Sequence, residues 1–291
     1  MSKTECACYA YRDVSSGLEE DLVEHLLGVA SCCAEERWET RALASKLSRV
    51  LGLGLDMVRD AILLAGLLHD VGKAAQVYQE PCQSGGCTEF HGHYLVSAFI
   101  AHLALSLSGT AIRVRDAEEF LGSRGTRLGE DKVFAVLIVL PIAFHHYHQV
   151  RGTKSYSAVK IVEQFLDKFN ELVDRGTKSY SAVHRSTVGN FLDNPLIYGK
   201  CVESFEKIIS HQGVGPRGRE VLEKVYAVLT DIGSYVESDS YRDSKLFILR
   251  LGDLVRSGLR DTSITLGKAV VEVVMGVVNL CDGIVAARKR R

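Results

Sequence analysis

The chain has 291 residues, and its 35 lysine and arginine side chains almost balance its 36 aspartate and glutamate side chains. Hydrophobic residues make up 46% of the chain and prolines number only 4, a composition typical of a helical globular protein with a sizeable core. The charge balance excludes a generally basic surface for nucleic acid, so any such contact must depend on local patches. The length fits one large domain, and nothing in the composition requires a second.

The first thirteen residues, MSKTECACYAYRD, lack a basic segment followed by an apolar one, and no apolar run reaches the length of a membrane span. We therefore expect a cytoplasmic protein with no membrane partner. The 8 cysteines favour reduced thiols there, although an organism living at high temperature could oxidise some of them. Cys82 and Cys87 enclose four residues, a spacing compatible with a disulfide, half of a zinc site or two free thiols.

Apolar residues recur at helical spacing through most of the chain. The predicted helices cover residues 17–36, 40–50, 61–73, 93–107, 130–148, 195–210, 217–235, 241–257 and 264–287. Residues 79–92 are polar and rich in glycine, which predicts a surface loop. No alternating pattern is long enough to build a central sheet, so the predicted fold class is all-α.

Residues 148–191 contain an internal repeat, in which RGTKSYSAV occurs at 151–159 and again at 175–183. A local duplication inside a tolerant insertion explains it most simply, since one repeated unit cannot form a solenoid. The alternative is a nucleic-acid contact, because basic side chains outnumber acidic ones in this stretch. We predict one domain over residues 1–291, with this insertion and an additional C-terminal helix at 264–287.

The segment AILLAGLLHDVGK, at residues 61–73, is an apolar helix that ends on His69 and Asp70. Burying an imidazole beside a carboxylate is costly unless a partner satisfies both groups, and a metal ion suits the pair. A satisfied polar pair at a helix end is the alternative that this segment leaves open. Lys73 lies one turn beyond His69 and so on the same face.

Imidazoles and carboxylates recur at other inward-facing positions. The candidate metal ligands are His25, His69, Asp70, His93, His145, His146 and Asp253. Imidazole and carboxylate without thiolate form a ligand set for magnesium or for a divalent first-row metal such as manganese, cobalt, nickel or iron. Seven ligands exceed the needs of one ion, so we predict two ions about 3.5–4 Å apart, bridged by the two oxygens of Asp70. Considered alone, His25 also fits a core histidine whose ring nitrogens are hydrogen-bonded within the protein. Asp253, considered alone, also fits a carboxylate that caps a helix or faces solvent.

The ordered set His, His-Asp, His, His-His and Asp, with a lysine after the His-Asp pair, resembles the HD superfamily of metal-dependent phosphohydrolases. More narrowly, HYLVSA at 93–98, the pair His145–His146 and RLGD at 250–253 resemble the HD nuclease of type I CRISPR systems. The resemblance implies an all-α, HD-domain helical bundle with a dinuclear metal site. Tyr94 stands where that family often has Glu, so His91 and His148 are alternative ligands.

The resemblance also implies how the ligands divide between the ions. One ion is held by residues matching His25, His69, Asp70 and Asp253. The other is held by residues matching His93, His145 and His146, which share Asp70. Lys73 belongs to the same motif and suits a phosphate oxygen or developing negative charge, so Asp70 and Lys73 are the implied catalytic residues.

The chain lacks the GxxxxGK[ST] motif of a helicase, so the resemblance is to the stand-alone archaeal form, whose helicase is a separate subunit. It implies a metal-dependent nuclease that hydrolyses phosphodiester bonds of single-stranded DNA, with RNA as an alternative substrate, in CRISPR interference and antiviral defence. The implied partners are single-stranded DNA, a CRISPR helicase subunit and a surveillance complex. Two other interpretations are a phosphohydrolase acting on nucleotides or cyclic nucleotides, and a non-catalytic scaffold that keeps the fold for binding.

Overall fold

The structure, a computed structural model, describes residues 8–34, 38–90, 92–122, 128–146, 188, 191–193, 195–211, 213–251 and 265–289. An antiparallel hairpin of β1 (Tyr9–Asp13) and β2 (Leu18–Asp21) precedes the first helix. The helices of the described residues are α1 (Leu22–Ala34), α2 (Trp38–Leu51), α3 (Leu55–Leu68), α4 (Gln76–Gly85), α5 (His93–Leu107), α6 (Val114–Gly122), α7 (Glu130–Phe144), α8 (Gly199–Ile209), α9 (Pro216–Thr230), α10 (Asp239–Leu249) and α11 (Leu266–Lys289). Short 3-10 helices cover Val71–Ala74 and Ile232–Tyr235. The all-α prediction is confirmed.

Three apolar helices form the centre of the molecule. Helix α3 packs against α1 and α7, and α5 packs against α7, α9, α10 and the 3-10 helix Val71–Ala74. Helix α11 closes the bundle over α1, α6 and α7. Because α3 and α7 are covered on several sides, their sequences are apolar around most of the helix, and the residues that follow them emerge inside the bundle.

The predicted elements differ from the structure in several places. Helix α3 begins at Leu55 and ends at Leu68, where a helix was expected over residues 61–73, and α6 lies where no element was predicted. The helix expected from residue 17 begins only at Leu22, because Leu18–Asp21 pairs with Tyr9–Asp13 across a turn at Gly17, whose φ is +69°. Helix α4 occupies Gln76–Gly85, where a surface loop was expected from residue 79. The polar side chain of Gln79 is buried there and donates to the carbonyls of Tyr9 and Lys73 instead of facing water.

Six cysteines form disulfides, so the expectation of reduced thiols is wrong for these residues. The bonds join Cys8 to Cys201, Cys32 to Cys281 and Cys82 to Cys87. Of the three alternatives for Cys82 and Cys87, the structure has the disulfide. Cys33 is a buried free thiol. The Cys32–Cys281 bond ties α1 to α11.

By length and composition alone, helix α11 could cross a membrane, since its most apolar window has a mean hydropathy of 1.9. The core helices of soluble proteins meet the same criteria. Its inner face packs on the bundle through Val274, Val278 and Val285. The absence of a membrane partner stays a prediction. The division into one domain with an insertion also stays a prediction, because residues 147–187 lie outside the described part of the chain.

A candidate metal centre

The His69–Asp70 pair lies at the end of α3, in the middle of the bundle. Helix α3 ends at Leu68, and the chain turns through His69 and Asp70 into the 3-10 helix Val71–Ala74. His69 is 0% exposed and Asp70 is 2% exposed. The following residues anchor this turn, since the Gly72 N–H donates to Ser97 Oγ of α5 at 2.8 Å.

Two groups of metal-ligand side chains meet at Asp70. The first cluster consists of His25, His69, Asp70 and Asp282, and the second cluster consists of Asp70, His93, His145 and His146. Within each cluster the ligand atoms lie within 4.8 Å of one another. The structure thus brings together six of the seven predicted residues, whose role as ligands stays a prediction. Asp253, like the alternatives His91 and His148, lies outside the described residues.

Asp70 directs one oxygen towards each cluster. Its Oδ2 lies 3.4 Å from His69 Nε2 and 3.6 Å from His25 Nε2. Its Oδ1 lies 2.8 Å from His93 Nε2 and 3.3 Å from His145 Nε2. The Lys73 ammonium donates to Oδ2 at 2.6 Å and fixes the plane of the carboxylate. This is the arrangement a bridging carboxylate needs.

Backbone and side-chain oxygens orient four of the histidines in the same way. In each, Nδ1 donates to an oxygen: His25 to Glu20 Oε1, His69 to the Gly66 carbonyl, His93 to the Phe90 carbonyl and His145 to the Ile142 carbonyl. A neutral ring that donates through Nδ1 keeps a lone pair on Nε2. When all four rings are neutral, four Nε2 lone pairs point towards the two clusters, as they do when an outer oxygen orients a metal-bound histidine.

His102 shows what a structural histidine looks like in this fold. It is 1% exposed, its Nε2 donates to the Ile112 carbonyl at 2.8 Å, and its Nδ1 lies 2.8 Å from the Ser244 hydroxyl. Both ring nitrogens are satisfied by the protein, which leaves no lone pair for a metal. The histidines of the two clusters lack this second partner or share it with other cluster residues.

Two buried polar atoms that lack a hydrogen-bond partner indicate that the clusters fit a bound cation. Asp70 Oδ1 and His145 Nε2 are buried without a hydrogen bond of acceptable geometry. Leaving such atoms unsatisfied costs about 1–3 kcal/mol each, more for a charged group, and a divalent ion between them removes that cost. The donor set of imidazoles and carboxylates suits magnesium, manganese or a later first-row metal.

The electrostatics of the clusters also suit a metal. Burial lowers the pKa of His69 to about 4 and that of His146 to about 2, which keeps both rings neutral. Burial opposes ionisation of Asp70, but Lys73, His69 and His93 hold its pKa well below the usual range. Burial likewise disfavours a charged His25, yet hydrogen bonds from its ring to Asp282 and Glu20 raise its pKa to about 9. A metal in the first cluster must therefore displace a proton from His25.

A comparison with known families identifies the fold. A family model described as Cas3, HD domain, matches residues 12–175, more than half of the chain. The chain belongs to the Cas3 HD-domain family. No curated protein and no solved structure matches it. As a Cas3 HD domain, the chain is a metal-dependent nuclease of CRISPR defence that binds divalent metal and acts on nucleic acid.

The family match covers the six predicted histidine and aspartate residues that the structure brings together. Both Asp253 and Asp282 lie beyond residue 175, so the match does not choose between them. In this Cas3 HD domain Asp282 Oδ1 lies 3.2 Å from His25 Nε2 and 3.9 Å from His69 Nε2. Asp282 was missed because the resemblance pointed to Asp253. No signal in the sequence distinguishes Asp282, because Glu272 is a second carboxylate on the same apolar helix.

We expect Asp282→Ala to abolish metal binding at the first cluster of this Cas3 HD domain and to leave it intact at the second. Asp282 contacts only the first cluster, so His93, His145 and His146 would still bind their ion with Asp70. Metal content after reconstitution with manganese and gel filtration measures the change. Asp253→Ala is the matched variant. If Asp253→Ala loses metal and Asp282→Ala keeps the wild-type metal content, then Asp253 rather than Asp282 is the ligand.

Glu20 is a positioning residue that the sequence did not reveal. It lies on β2, is 1% exposed, and its Oε1 accepts from His25 Nδ1 at 2.8 Å. We expect Glu20→Gln to weaken manganese binding to the first cluster about tenfold, because the neutral amide makes His25 a weaker and less fixed ligand. Calorimetric titration measures the affinity.

The neighbouring Glu19 provides the control for Glu20. It is exposed on the opposite face of β2 and pairs with Arg12 at 3.1 Å. Glu19→Gln should bind manganese like the wild type, since it changes the same charge on the same strand without touching His25. Equal affinities in Glu20→Gln, Glu19→Gln and the wild type would remove the positioning role.

Proposed function

We propose that this chain is a two-metal nuclease that hydrolyses phosphodiester bonds of single-stranded DNA as a stand-alone subunit of a type I CRISPR system. The observation that carries the proposal is the position of Asp70, which presents one oxygen to each of two imidazole clusters. Two ions sharing a carboxylate are a recurrent device for hydrolysing phosphate esters. A separate helicase subunit and a surveillance complex would supply the strand.

The residues present suit a polyanionic substrate. When bound, divalent ions would provide an activated water and neutralise the charge that develops on the phosphate. Asp70 and Asp282 contribute only two negative charges, so a site loaded with two divalent ions keeps an excess of positive charge and attracts a phosphate backbone. The nitrogen ligands thus favour a phosphodiester over a neutral substrate.

Lys73 has two tasks in this proposal. Its ammonium donates to Asp70 Oδ2 and lies 5.0 Å from the centre of the Phe90 ring, which fixes its position beside the clusters. An ammonium has three donors, so the hydrogen bond to Asp70 leaves donors for a phosphate oxygen. Lys73 would therefore orient the bridging carboxylate and contact the substrate.

The cellular setting is also proposed from the residues. A cytoplasmic protein with three disulfides is unusual in mesophiles, but intracellular disulfides are common in hyperthermophilic archaea. That setting agrees with the archaeal, stand-alone arrangement that the sequence resembles. The basic insertion at 148–191, which lies almost wholly outside the described residues, stays a predicted contact for the strand.

One side-by-side assay tests the function. Metal-free protein is reconstituted with magnesium, manganese, cobalt or nickel and offered labelled single-stranded DNA, duplex DNA, RNA, free nucleotides and cyclic nucleotides. We expect cleavage of single-stranded DNA that requires metal and disappears with a chelator. Circular single-stranded DNA separates internal cutting from cutting at ends. Hydrolysis of nucleotides without cleavage of any polymer would establish the phosphohydrolase alternative and overturn the proposal.

A further inference from the structure

The side chain of Asn279, on α11, carries a buried polar atom without a partner. Among the side chains that the structure describes, three buried nitrogen or oxygen atoms lack a hydrogen-bond partner. Two of them, Asp70 Oδ1 and His145 Nε2, belong to the metal centre, and the third is Asn279 Nδ2. Burying an amide nitrogen without an acceptor destabilises a fold, so such an atom calls for an explanation.

Asn279 lies on the same face of α11 as Asp282. The two residues are three positions apart, which places their side chains about 60° apart around the helix and nearly one turn apart along it. Asp282 Oδ1 lies 3.2 Å from His25 Nε2 and 3.9 Å from His69 Nε2. Met275, one turn before Asn279, is 4% exposed, so this side of α11 faces the interior. Asn279 therefore lies beside the first cluster.

The amide of Asn279 has a nitrogen donor and an oxygen acceptor on the same carbon. Nδ2 is shielded from water, whereas the residue as a whole is only partly buried. A half-turn about the last side-chain bond exchanges the nitrogen and the oxygen without moving the rest of the residue. After this exchange the carbonyl oxygen takes the inner position. An inner oxygen needs a hydrogen-bond donor or a cation, and the first cluster is suited to a cation.

The spacing of Asn279 and Asp282 suits two ligands of one ion. Positions i and i+3 of a helix project side by side, and metal sites in helical bundles use this spacing. The first cluster offers two imidazole nitrogens and two carboxylate oxygens. Magnesium and manganese prefer octahedral coordination with mostly oxygen ligands. An oxygen from Asn279 would be the fifth ligand and would leave one position for the substrate.

We propose that Asn279 is a ligand of the ion at the first cluster, which it binds through its side-chain carbonyl oxygen. The proposal explains why this buried amide has no partner among the described residues. It rests on the metal centre of the proposed function but not on the substrate. With Asn279, the first cluster offers three oxygens and two nitrogens, whereas the second offers one oxygen and three nitrogens. The first cluster would therefore have the stronger preference for magnesium or manganese.

Asn279→Leu tests the ligand by calorimetric titration and urea denaturation. The change replaces the amide with an apolar group of the same branched shape. We expect the manganese affinity of the first cluster, identified as the binding that Asp282→Ala abolishes, to fall about tenfold. Without metal, Asn279→Leu should raise the urea midpoint, since it removes a buried polar group that has no partner. Met275→Leu, a volume-conserving change one turn away, should leave the manganese affinity unchanged.

Asn279→Asp distinguishes a metal ligand from a donor to the substrate. A carboxylate also supplies an oxygen, so Asn279→Asp should bind manganese at least as tightly as the wild type. Leu280→Asp adds the same charge at the next position, where the side chain is 59% exposed, and should leave the affinity unchanged. If the amide instead donates to a phosphate, both Asn279 variants would bind manganese normally and lose affinity for single-stranded DNA. That result overturns the proposal.

The remaining outcomes separate this ligand from the proposed function. Wild-type manganese affinity in Asn279→Leu overturns the ligand, and a lower urea midpoint in the same variant would assign the amide to the stability of the fold. A wild-type protein that binds no manganese would overturn the metal centre and the ligand together. A wild type that binds manganese through Asn279 but cleaves no nucleic acid would overturn the proposed function and support the ligand.

Discussion

Asp70→Asn is expected to empty both metal clusters and to reduce nuclease activity by about a thousandfold or more. Asp70 is the residue shared by the two clusters, and each of its oxygens faces a different one. An asparagine has a single carbonyl oxygen and no negative charge, so it cannot bridge two ions. Metal content and cleavage of single-stranded DNA, measured on the same preparation, check both parts of the prediction.

Asp60 on α3, the helix that leads to Asp70, provides a matched control for Asp70. It is a buried carboxylate too, but its oxygens accept from the backbone N–H groups of Gly215 and Gly218. Asp60→Asn should therefore reduce the free energy of unfolding and leave the metal content at the wild-type value. An Asp70→Asn protein that keeps both ions, or cleaves DNA at the wild-type rate, would show that Asp70 does not bridge them.

Gly72→Ala should lower the free energy of unfolding by about 3 kcal/mol and weaken metal binding at the second cluster. A Cβ at residue 72 would lie only 2.6 Å from the Ser97 nitrogen and still closer to the His93 carbonyl oxygen. Both are backbone atoms of α5, so the whole start of that helix must move. His93 would then leave its position beside Asp70. Urea denaturation with and without manganese measures both effects.

Gly54 tests whether any glycine-to-alanine change near α3 has this effect. It caps the other end of α3, with φ of −58° and nothing within 4 Å of a built Cβ. Gly54→Ala should change the free energy of unfolding by less than about 1 kcal/mol, because alanine is a poorer N-cap than glycine but also restricts the unfolded chain. Equal stability for Gly72→Ala and Gly54→Ala would contradict the close approach of α5 to residue 72.

The sequence predicted those parts of the fold that local pattern determines. Helix α5 runs from His93 to Leu107, as its apolar periodicity indicated. The short acidic strand Leu18–Asp21 was assigned to a helix, because a four-residue strand has too few residues to show an alternating pattern. Its pairing with Tyr9–Asp13 is a tertiary property of the hairpin.

The candidate site was predictable to the extent that its residues stand in a recognisable order. The histidines and Asp70 are spaced like a known motif, but Asp282 and Glu20 are identified only by their contacts with His25. Neither carries a local signal that separates it from the other carboxylates of the chain. Disulfide connectivity has the same limit, because cysteine spacing alone allows many pairings.

The Cys32–Cys281 disulfide has a consequence for the unfolded chain. His25 and Asp282 are 257 residues apart in sequence, but the path through this bond joins them by about eight residues. Chain statistics give a loop-closure cost that is lower by about 3 kcal/mol for the shorter path. Heated and cooled oxidised protein should therefore regain its first-cluster ion readily. Protein kept in a strong thiol reductant must find that pairing across the whole length of the chain.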